Sequence, residues 1–270
     1  MPELPEVETV RQDLEKAVLG RTLLSLDVSE PRLLQQCTQS QLKEALCGKR
    51  LEALDRRGKF LLFNFGLHCA LVHLRMSGWF SEKHGTHTRM VWGFSGKTIY
   101  FDDTRRFATL HLVKTDHLLQ RPPLAGLGQE PLSSDFTAEA LRSMFDSTRE
   151  VKRLLLDQGK VAGLGNIYVC EILYRAGIDP REPVHRISKQ KTKRLHRAII
   201  ETLNEAIARH GSTLGSAVGD YRTLSGAQGG FQDRFAVYGK QGEPCFRCQT
   251  PIKRISQAQR STFFCPKCQR

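Results

Sequence analysis

The sequence lacks any long hydrophobic run and any segment that resembles a leader. No apolar stretch approaches the ~20 residues that a membrane-spanning helix requires, and no signal-peptide pattern begins the chain. Internal repeats and low-complexity tracts are also absent, which excludes solenoid and fibrous architectures. The 270 residues, 40% hydrophobic and 26% charged, therefore predict a soluble cytoplasmic protein with room for two domains.

Acidic residues are scarce in the last third of the chain. Residues 181–270 contain 17 Lys and Arg against 6 Asp and Glu, whereas residues 1–180 contain 24 against 22. A basic segment attached to a nearly neutral one is typical of a surface that binds a polyanion, although a solvated charged face would have the same composition. This distribution favours nucleic acid as the partner.

The eight cysteines are unevenly placed. Four of the eight cysteines are scattered among apolar neighbours and are predicted to be reduced core thiols: Cys37, Cys47, Cys69 and Cys170. The other four form two Cys-x2-Cys pairs, Cys245 with Cys248 and Cys265 with Cys268, around a segment that is typical of a hairpin. Four thiolates at this spacing predict one tetrahedral zinc ion without an open coordination position, and hence a structural zinc. Two disulfides are disfavoured because the chain has no secretion signal.

The distribution of hydrophobic residues predicts an α+β protein. Residues 5–18 have helical periodicity, and short apolar or alternating runs between 22 and 114 predict an antiparallel sandwich or barrel. Examples of these predicted strands are Leu23–Val28, Lys59–Phe65, Ala70–Leu74, Met90–Phe94, Thr98–Phe101 and Ala108–Val113. Residues 115–136 carry three prolines and little periodicity, which indicates a linker. The predicted helices that follow are Thr137–Phe145, Val151–Asp157, Asn166–Ala176 and Ser188–His210.

The first six residues, Met-Pro-Glu-Leu-Pro-Glu, point to amine chemistry. If Met1 is removed, Pro2 presents a free secondary amine that can attack an aldehyde-like carbon and form an iminium ion. Glu3 and Glu6 lie within reach for proton transfer. The alternative interpretation is that the prolines only mark the start of a helix.

A glycine turn between two predicted helices points to phosphate binding. Gly163-Leu-Gly165-Asn166 permits close backbone approach, and free N–H groups at a helix N-terminus hold anions. Asn166 can cap the helix or donate to a phosphate, and Lys152 lies on the preceding helix. An ordinary connection between helices remains the alternative.

Eight segments, spread in order from end to end, carry a family resemblance. They are PELPEVETV (2–10), DRRGKFLL (55–62), HLRMSG (73–78), DDTRRF (102–107), LGQEPLS (127–133), LLLDQGKVAGLGNIY (154–168), VYGKQGEPC (237–245) and RSTFFCPKC (260–268). Together they resemble the bacterial formamidopyrimidine-DNA glycosylases of the formamidopyrimidine-DNA glycosylase / endonuclease VIII family.

The resemblance implies an N-terminal helix on an antiparallel β-sandwich, then a helix–two-turn–helix domain and a C-terminal zinc finger. The expected boundaries are 1–114 for the catalytic β-sandwich domain, 115–136 for the linker, 137–236 for the helix–two-turn–helix domain and 237–270 for the finger. Double-stranded DNA is expected in the cleft between the domains, bound by a monomeric bacterial enzyme.

The implied activity is that of a bifunctional glycosylase and abasic-site lyase in base-excision repair. The enzyme would extrude 8-oxoguanine or a ring-opened formamidopyrimidine, attack C1′ with the Pro2 nitrogen, and cleave the strand by β,δ-elimination. In the family pattern Glu3 protonates the sugar, Glu6 helps to hold the site, and Lys59 handles the lesion and contacts phosphate.

The resemblance also implies a set of DNA contacts. Met76, Arg106 and Phe107 would fill the gap left by the extruded nucleotide, with Arg106 facing the orphaned cytosine. The expected backbone ligands are Asn166, Arg260, Lys152 and His73. Glu171 matches an acidic position of the family without an assigned role.

Some positions depart from the family pattern, and two other functions remain open. Thr104 stands where the family more often has proline, and glycine is common at the positions of Arg75 and Ala108. The loop at 216–231 varies too much within the family to predict base preference. One alternative is an oxidised-pyrimidine glycosylase of the endonuclease VIII type, which the Leu4 and RRF residues disfavour. The other is a non-catalytic zinc-containing protein that binds nucleic acid.

Overall fold

A computed structural model describes residues 2–215 and 221–270 of the chain. It divides into two compact units: unit 1 contains Met1–Ala125 and Ile207–Gln232, and unit 2 contains Gly126–Ala206 and Asp233–Arg270. The segment 115–136 is therefore shared between the units, with a 3-10 helix at Thr115–Gln120 in unit 1. Of the loop 216–231, residues 216–220 lie outside the described part of the chain.

Unit 1 begins with helix α1 (Leu4–Val18), which forms because its apolar residues recur at helical spacing. Val7, Val10 and Leu14 are at most 1% exposed and pack in the core of the unit. A second helix, α2 (Gln39–Leu46), was not predicted. Its sequence signal is the capping box in which Thr38 accepts from the N–H of Gln41 and the side chain of Gln41 accepts from the N–H of Thr38.

The described part of unit 1 also contains nine strands in two sheets. They are β1 (Leu23–Val28), β2 (Leu34–Gln35), β3 (Ala53–Arg57), β4 (Phe60–Asn64), β5 (His68–His73), β6 (Gly78–Ser81), β7 (Thr88–Phe94), β8 (Lys97–Asp103) and β9 (Thr109–Lys114). One sheet has the order β1-β7-β8-β6 and the other β2-β9-β5-β4-β3. Strands β2, β3 and β6 are not among the predicted strands named above, since β2 has two residues, β6 has four, and three of the five residues of β3 are charged.

The two sheets pack face to face as a sandwich. Phe63 of β4 stacks on Trp92 of β7, with ring centroids 4.9 Å apart, and both side chains are buried. This architecture confirms the predicted α+β class. Of the two arrangements that the sequence left open, a sandwich or a barrel, the structure has the sandwich. One pairing differs from the expectation: β2 and β9 are parallel, because β2 joins the sheet through a long crossover and not through a hairpin.

Unit 2 is mainly helical and ends in a two-stranded hairpin. Its α-helices and strands are α3 (Ala138–Ser143), α4 (Val151–Leu155), α5 (Asn166–Ala176), α6 (Lys189–Ala208, whose last two residues belong to unit 1), β10 (Lys253–Gln257) and β11 (Arg260–Phe264). The antiparallel pairing of β10 with β11 confirms the hairpin predicted between the cysteine pairs. Across the described residues, no helix is both long and apolar enough to cross a membrane.

Candidate active site and nucleic-acid interface

The residues predicted to react lie at the start of α1. Pro2 is buried directly before the helix, and Glu3 and Glu6 are each 2% exposed. Glu3 is the N-cap, and its N–H donates to Oε2 of Glu6 at 2.8 Å while its own carboxylate accepts from the N–H of Glu6. Carboxylates are favourable at a helix N-terminus because the free N–H groups there carry partial positive charge. The fold thus keeps two carboxylates beside Pro2 in a buried position.

The second oxygen of Glu6 is held by a distant part of unit 1. The N–H of Ser212 donates to Oε1 of Glu6 at 2.8 Å. The preceding residue, Gly211, has φ +74°, and a Cβ placed there would lie 2.8 Å from the Glu6 side chain. Only glycine fits this conformation and this space without a shift. No sequence pattern predicts this contact, and its only local sign is a Gly-Ser pair that follows a long predicted helix.

Lys59 lies in the turn between β3 and β4, one residue before the strand in which it was predicted. It follows Gly58, which has φ +56°, and only 6% of Lys59 is exposed. Lys59 is one of the cations that lower the pKa of the neighbouring His73. The fold therefore brings Lys59 near His73, although the two residues belong to different predicted segments.

His73 is buried and electrically neutral. Its ring contacts Phe60 edge to face at 4.6 Å, and its Nδ1 accepts from the N–H of Arg75 at 2.9 Å. Burial, followed by the charges of Arg75 and Lys59, lowers the pKa of His73 to about 3. Because Nδ1 is an acceptor, the single ring proton lies on Nε2. The expected contact of His73 with the DNA backbone is thus that of a neutral hydrogen-bond donor.

Met76, Arg106 and Phe107, which are expected to fill the gap left by the extruded nucleotide, are called the wedge below. Met76 and Phe107 are exposed apolar side chains. Met76 is 40% and Phe107 53% exposed. The guanidinium of Arg105 lies 4.9 Å above the Phe107 ring. Met76 lies between β5 and β6, and Phe107 between β8 and β9.

Arg106, the third wedge residue, adopts the left-handed conformation with φ +57°. Its guanidinium lies 3.4 Å from Oε2 of Glu30. Oε1 of the same carboxylate lies 2.7 Å from Nε of Arg32. The hydrogen bond from Arg32, with a smaller contribution from Arg106, lowers the pKa of Glu30 to about 2. Glu30 was not expected near this site, since no motif connects it to the DDTRRF segment.

The predicted phosphate ligands lie in unit 2, around the junction of α5 with the hairpin. Asn166 is the first residue of α5, and its Nδ2 donates to the carbonyl oxygen of Ser261 at 2.9 Å. The glycine turn before it is held by Gln158, whose Oε1 accepts from the N–H of Gly163 at 2.9 Å. Arg260 is exposed at the start of β11. The fold therefore places Asn166 next to the strand that carries Arg260.

Lys152, expected as a backbone contact, is fully buried. Its ammonium donates to Oγ1 of Thr262 at 2.5 Å and to the carbonyl oxygen of Ser261 at 3.2 Å. These bonds direct the charge of Lys152 to the hairpin and tie α4 to β11. A sequence pattern does not distinguish such a lysine from an exposed one.

The four C-terminal cysteines converge on one point. All four Sγ atoms lie within 4.8 Å of one another, with Cys248 and Cys265 at 3.4 Å and Cys245 and Cys268 at 3.9 Å. A tetrahedral zinc ion with bonds of about 2.3 Å separates its sulfur ligands by about 3.8 Å. The donor set and its spacing therefore fit one structural zinc ion, as predicted.

Two residues of α5 support this centre from outside it. The hydroxyl of Tyr174 lies 3.3 Å from Sγ of Cys245, and Arg247 covers the Tyr174 ring at 4.5 Å. The buried carboxylate of Glu171 accepts from three successive N–H groups, those of Ala236, Val237 and Tyr238, at 2.8 to 3.0 Å. Burial raises the pKa of Glu171, and these donors oppose that shift. Glu171 thus fixes the chain that leads into the finger.

Family models match three stretches of the chain. Residues 1–110 match the formamidopyrimidine-DNA glycosylase N-terminal domain, and residues 127–217 match the formamidopyrimidine-DNA glycosylase H2TH domain. Residues 242–270 match the zinc finger found in FPG and IleRS. The three matches occur in the same order as the segments recognised in the sequence.

Known proteins are similar over the full length. The formamidopyrimidine-DNA glycosylase of Geobacillus kaustophilus is 41% identical over 278 residues, covering all of both chains. A Lactococcus lactis FPG mutant in complex with DNA that contains Fapy-dG has a TM-score of 0.91 at 37% identity, with all of both chains covered. Lactococcus lactis Fpg in complex with DNA that contains an abasic site has a TM-score of 0.90 at 37% identity over 99% of both chains.

Proposed function

The chain belongs to the formamidopyrimidine-DNA glycosylase family, and we propose that it is a bifunctional DNA glycosylase and abasic-site lyase of base-excision repair. Its substrates are double-stranded DNA with oxidised purines, namely 8-oxoguanine and formamidopyrimidines, and DNA with abasic sites. It acts as a monomer on chromosomal DNA in the bacterial cytoplasm.

The proposed nucleophile is the Pro2 nitrogen after removal of Met1. The amine forms a bond to C1′ of the extruded nucleotide, and the glycosidic bond breaks with its electron pair leaving on the base. Glu3 supplies a proton to the ring oxygen, so the sugar opens and an iminium ion joins Pro2 to C1′. Removal of a C2′ proton then expels the 3′ phosphate, and a second elimination expels the 5′ phosphate.

The geometry around Glu6 supports a different role for that residue. Both of its carboxylate oxygens accept backbone N–H groups, from Glu3 and from Ser212, so it is well placed to hold the site together. Lys59, buried in its turn, is proposed to contact the phosphate next to the lesion. The division of labour is thus Pro2 for attack, Glu3 for proton transfer, and Glu6 for placement.

The exposed side chains of unit 1 are proposed to replace the extruded nucleotide. Met76 and Phe107 can enter the stack because both are exposed and apolar, and an apolar wedge lowers the cost of unstacking. The guanidinium of Arg106 offers donors that match the acceptor edge of the orphaned cytosine. His73 assists as a neutral donor to the backbone.

The proposed phosphate ligands in unit 2 are Asn166 and Arg260, and binding there should weaken as salt increases. Lys152 is proposed to act through the hairpin, because its ammonium is committed to Ser261 and Thr262. When bound, zinc supplies a rigid fold for the hairpin and no chemistry. The cysteine ligands are Cys245, Cys248, Cys265 and Cys268.

The observation that carries the proposal is the burial of Glu3 and Glu6 beside Pro2 in a chain that matches its relatives from end to end. The direct test is reduction with borohydride during reaction with a duplex that contains 8-oxoguanine opposite cytosine. We expect a covalent protein–DNA complex, and intact-mass measurement should show protein that lacks Met1. Full strand cleavage without a trapped complex would exclude the Pro2 mechanism.

Two variants and a control sharpen this test. Pro2→Gly should replace the secondary amine by a primary one and keep part of the lyase activity, whereas Glu3→Gln should nearly abolish base removal. Glu15→Gln removes a more exposed carboxylate from the same helix and should leave both steps unchanged. A fully active Glu3→Gln would show that Glu3 is not the acid. Preference for an oxidised pyrimidine over 8-oxoguanine would favour the endonuclease VIII alternative.

A further inference from the structure

A buried carboxylate joins the two segments that carry the wedge. Asp103, the last residue of β8, is 0% exposed. Its Oδ1 accepts from the hydroxyl of Ser77 at 2.5 Å, and its Oδ2 accepts from the N–H of Ala108 at 2.8 Å. Ser77 follows Met76, and Ala108 follows Phe107. One side chain therefore fixes the chain immediately beyond both wedge residues.

A further contact closes the arrangement into a network. The N–H of Arg105 donates to Oγ of Ser77 at 3.1 Å and lies 3.2 Å from Oδ1 of Asp103. The hydroxyl of Ser77 thus gives its proton to Asp103 and accepts one from the other segment. The backbone of Asp103 is itself fixed, because it pairs with Gly78 of β6 and its N–H donates to His87.

Both segments contain a residue in a conformation that needs such support. Arg75 has φ +54° and Arg106 has φ +57°. Residues other than glycine adopt this left-handed region only at a cost in free energy. Residues in strained conformations persist only where several surrounding contacts hold them in place. The segment Asp103–Ala108 contains neither proline nor glycine, so its shape depends on the bonds to Asp103.

The donors to this carboxylate are neutral. Within the described residues, its hydrogen bonds come from one hydroxyl and two backbone N–H groups. Burying a carboxylate without an ion pair costs free energy. The stability of the fold therefore does not explain why a carboxylate occupies this position. The bonds specify one conformation of two exposed segments that pack little apolar surface themselves.

We propose that Asp103, together with Ser77, is the positioning residue of the wedge: it holds Met76, Arg106 and Phe107 in the arrangement that enters the duplex. This proposal rests on the proposed function, since a wedge has a use only if a nucleotide is extruded. Asp103 touches no reacting atom in this scheme. Its loss should impair insertion and recognition of the opposite base, and it should leave the chemistry at Pro2 intact.

The test compares Asp103→Asn and Ser77→Ala with controls in the same sheet. Asparagine keeps the size of the side chain but turns one acceptor oxygen into a donor, so either the hydroxyl of Ser77 or the N–H of Ala108 loses its acceptor. The matched control is Asp102→Asn, because Asp102 is also buried but accepts from Thr88, which lies outside the wedge segments. Ser81→Ala, in strand β6, is the control for Ser77→Ala.

Two readouts separate positioning from a general loss of folded protein. The first is the ratio of kcat/KM for 8-oxoguanine opposite cytosine to that opposite adenine, in which the folded fraction cancels. We expect Asp103→Asn to lower this ratio about tenfold and Ser77→Ala to lower it less. The second is the fluorescence change of 2-aminopurine beside the lesion, which should become smaller and slower in both variants.

The outcomes distinguish this proposal from the proposed function. If the unaltered enzyme forms no borohydride-trapped complex, the proposed function is wrong. If it does, but both variants keep the opposite-base ratio and the 2-aminopurine signal, the positioning role is wrong and the function stands. If Asp103→Asn does not fold, Ser77→Ala decides, because it removes one hydroxyl and preserves both backbone bonds to Asp103.

Discussion

The carboxylate of Glu6 and the N–H of Ser212 form a 2.8 Å hydrogen bond between residues 206 positions apart. The same carboxylate accepts from the N–H of Glu3, so the residue proposed as the acid is connected to the segment after α6 through one side chain. Gly211 makes the approach possible because a Cβ there would collide with Glu6. The start of the chain is therefore held in place by a segment from its last third.

Replacing Glu6 by Gln should weaken both the fold of unit 1 and turnover. An amide accepts through its oxygen but not through its nitrogen, so one of the two buried N–H donors loses its partner at a cost of about 1–3 kcal/mol. Urea unfolding and the rate of borohydride trapping would measure the two effects. Glu15→Gln, at a more exposed position of the same helix, is the control. Unchanged trapping would show that Glu6 is dispensable for placement.

Replacing Gly211 by Ala should be more damaging than the same change at Gly226. Both glycines have positive φ, +74° and +90°, so both variants carry the conformational cost of about 1–2 kcal/mol. A Cβ at Gly211 meets Glu6 at 2.8 Å, whereas one at Gly226 meets nothing within 4 Å. The difference in the free energy of unfolding isolates the collision with Glu6. Equal losses in the two variants would contradict it.

His73 should make the protein less stable as pH falls below neutrality. Its pKa is about 3 in the folded protein, lowered by burial and by Arg75, Lys59 and His111, and near 6.5 in an unfolded chain. Between these values the unfolded chain binds a proton that the folded one excludes, so the free energy of unfolding decreases as pH decreases. The loss from this residue should reach about 2 kcal/mol between pH 7 and pH 5.

The measurement for His73 is urea unfolding at several pH values, for the unaltered protein and for His73→Asn. Asparagine offers an acceptor oxygen to the N–H of Arg75 but does not titrate. The variant should therefore lose less stability than the unaltered protein between pH 7 and pH 5. Parallel pH profiles would show that His73 is not buried and neutral as described.

Removing the hydroxyl of Tyr174 should loosen the zinc centre. When Cys245 binds zinc as a thiolate, the hydroxyl at 3.3 Å donates to its sulfur and stabilises the negative charge. Tyr174→Phe should therefore release zinc to a chromogenic chelator about tenfold faster. Tyr100→Phe, in strand β8, provides the control. An unchanged release rate would mean that the hydroxyl does not support the metal.

Local chemistry made several features predictable from the sequence alone. The spacing of four cysteines predicts the zinc centre, because each Cys-x2-Cys turn brings its own two thiolates together. The start of α1 is likewise local, since proline, a carboxylate N-cap and helical periodicity occur within a few residues. The hairpin between the cysteine pairs follows from the same short-range pattern.

Other features were decided only by the tertiary structure, because they join residues that no sequence period connects. The bond from Ser212 to Glu6, the bridge from Asp103 to Ser77 and the burial of Lys152 against Thr262 are of this kind. The resemblance implied a backbone contact for Lys152, whose side chain is fully buried in the structure. The sequence by itself thus determined which chemical groups are present, and the packing of distant segments decided which of them are held, neutralised or left exposed.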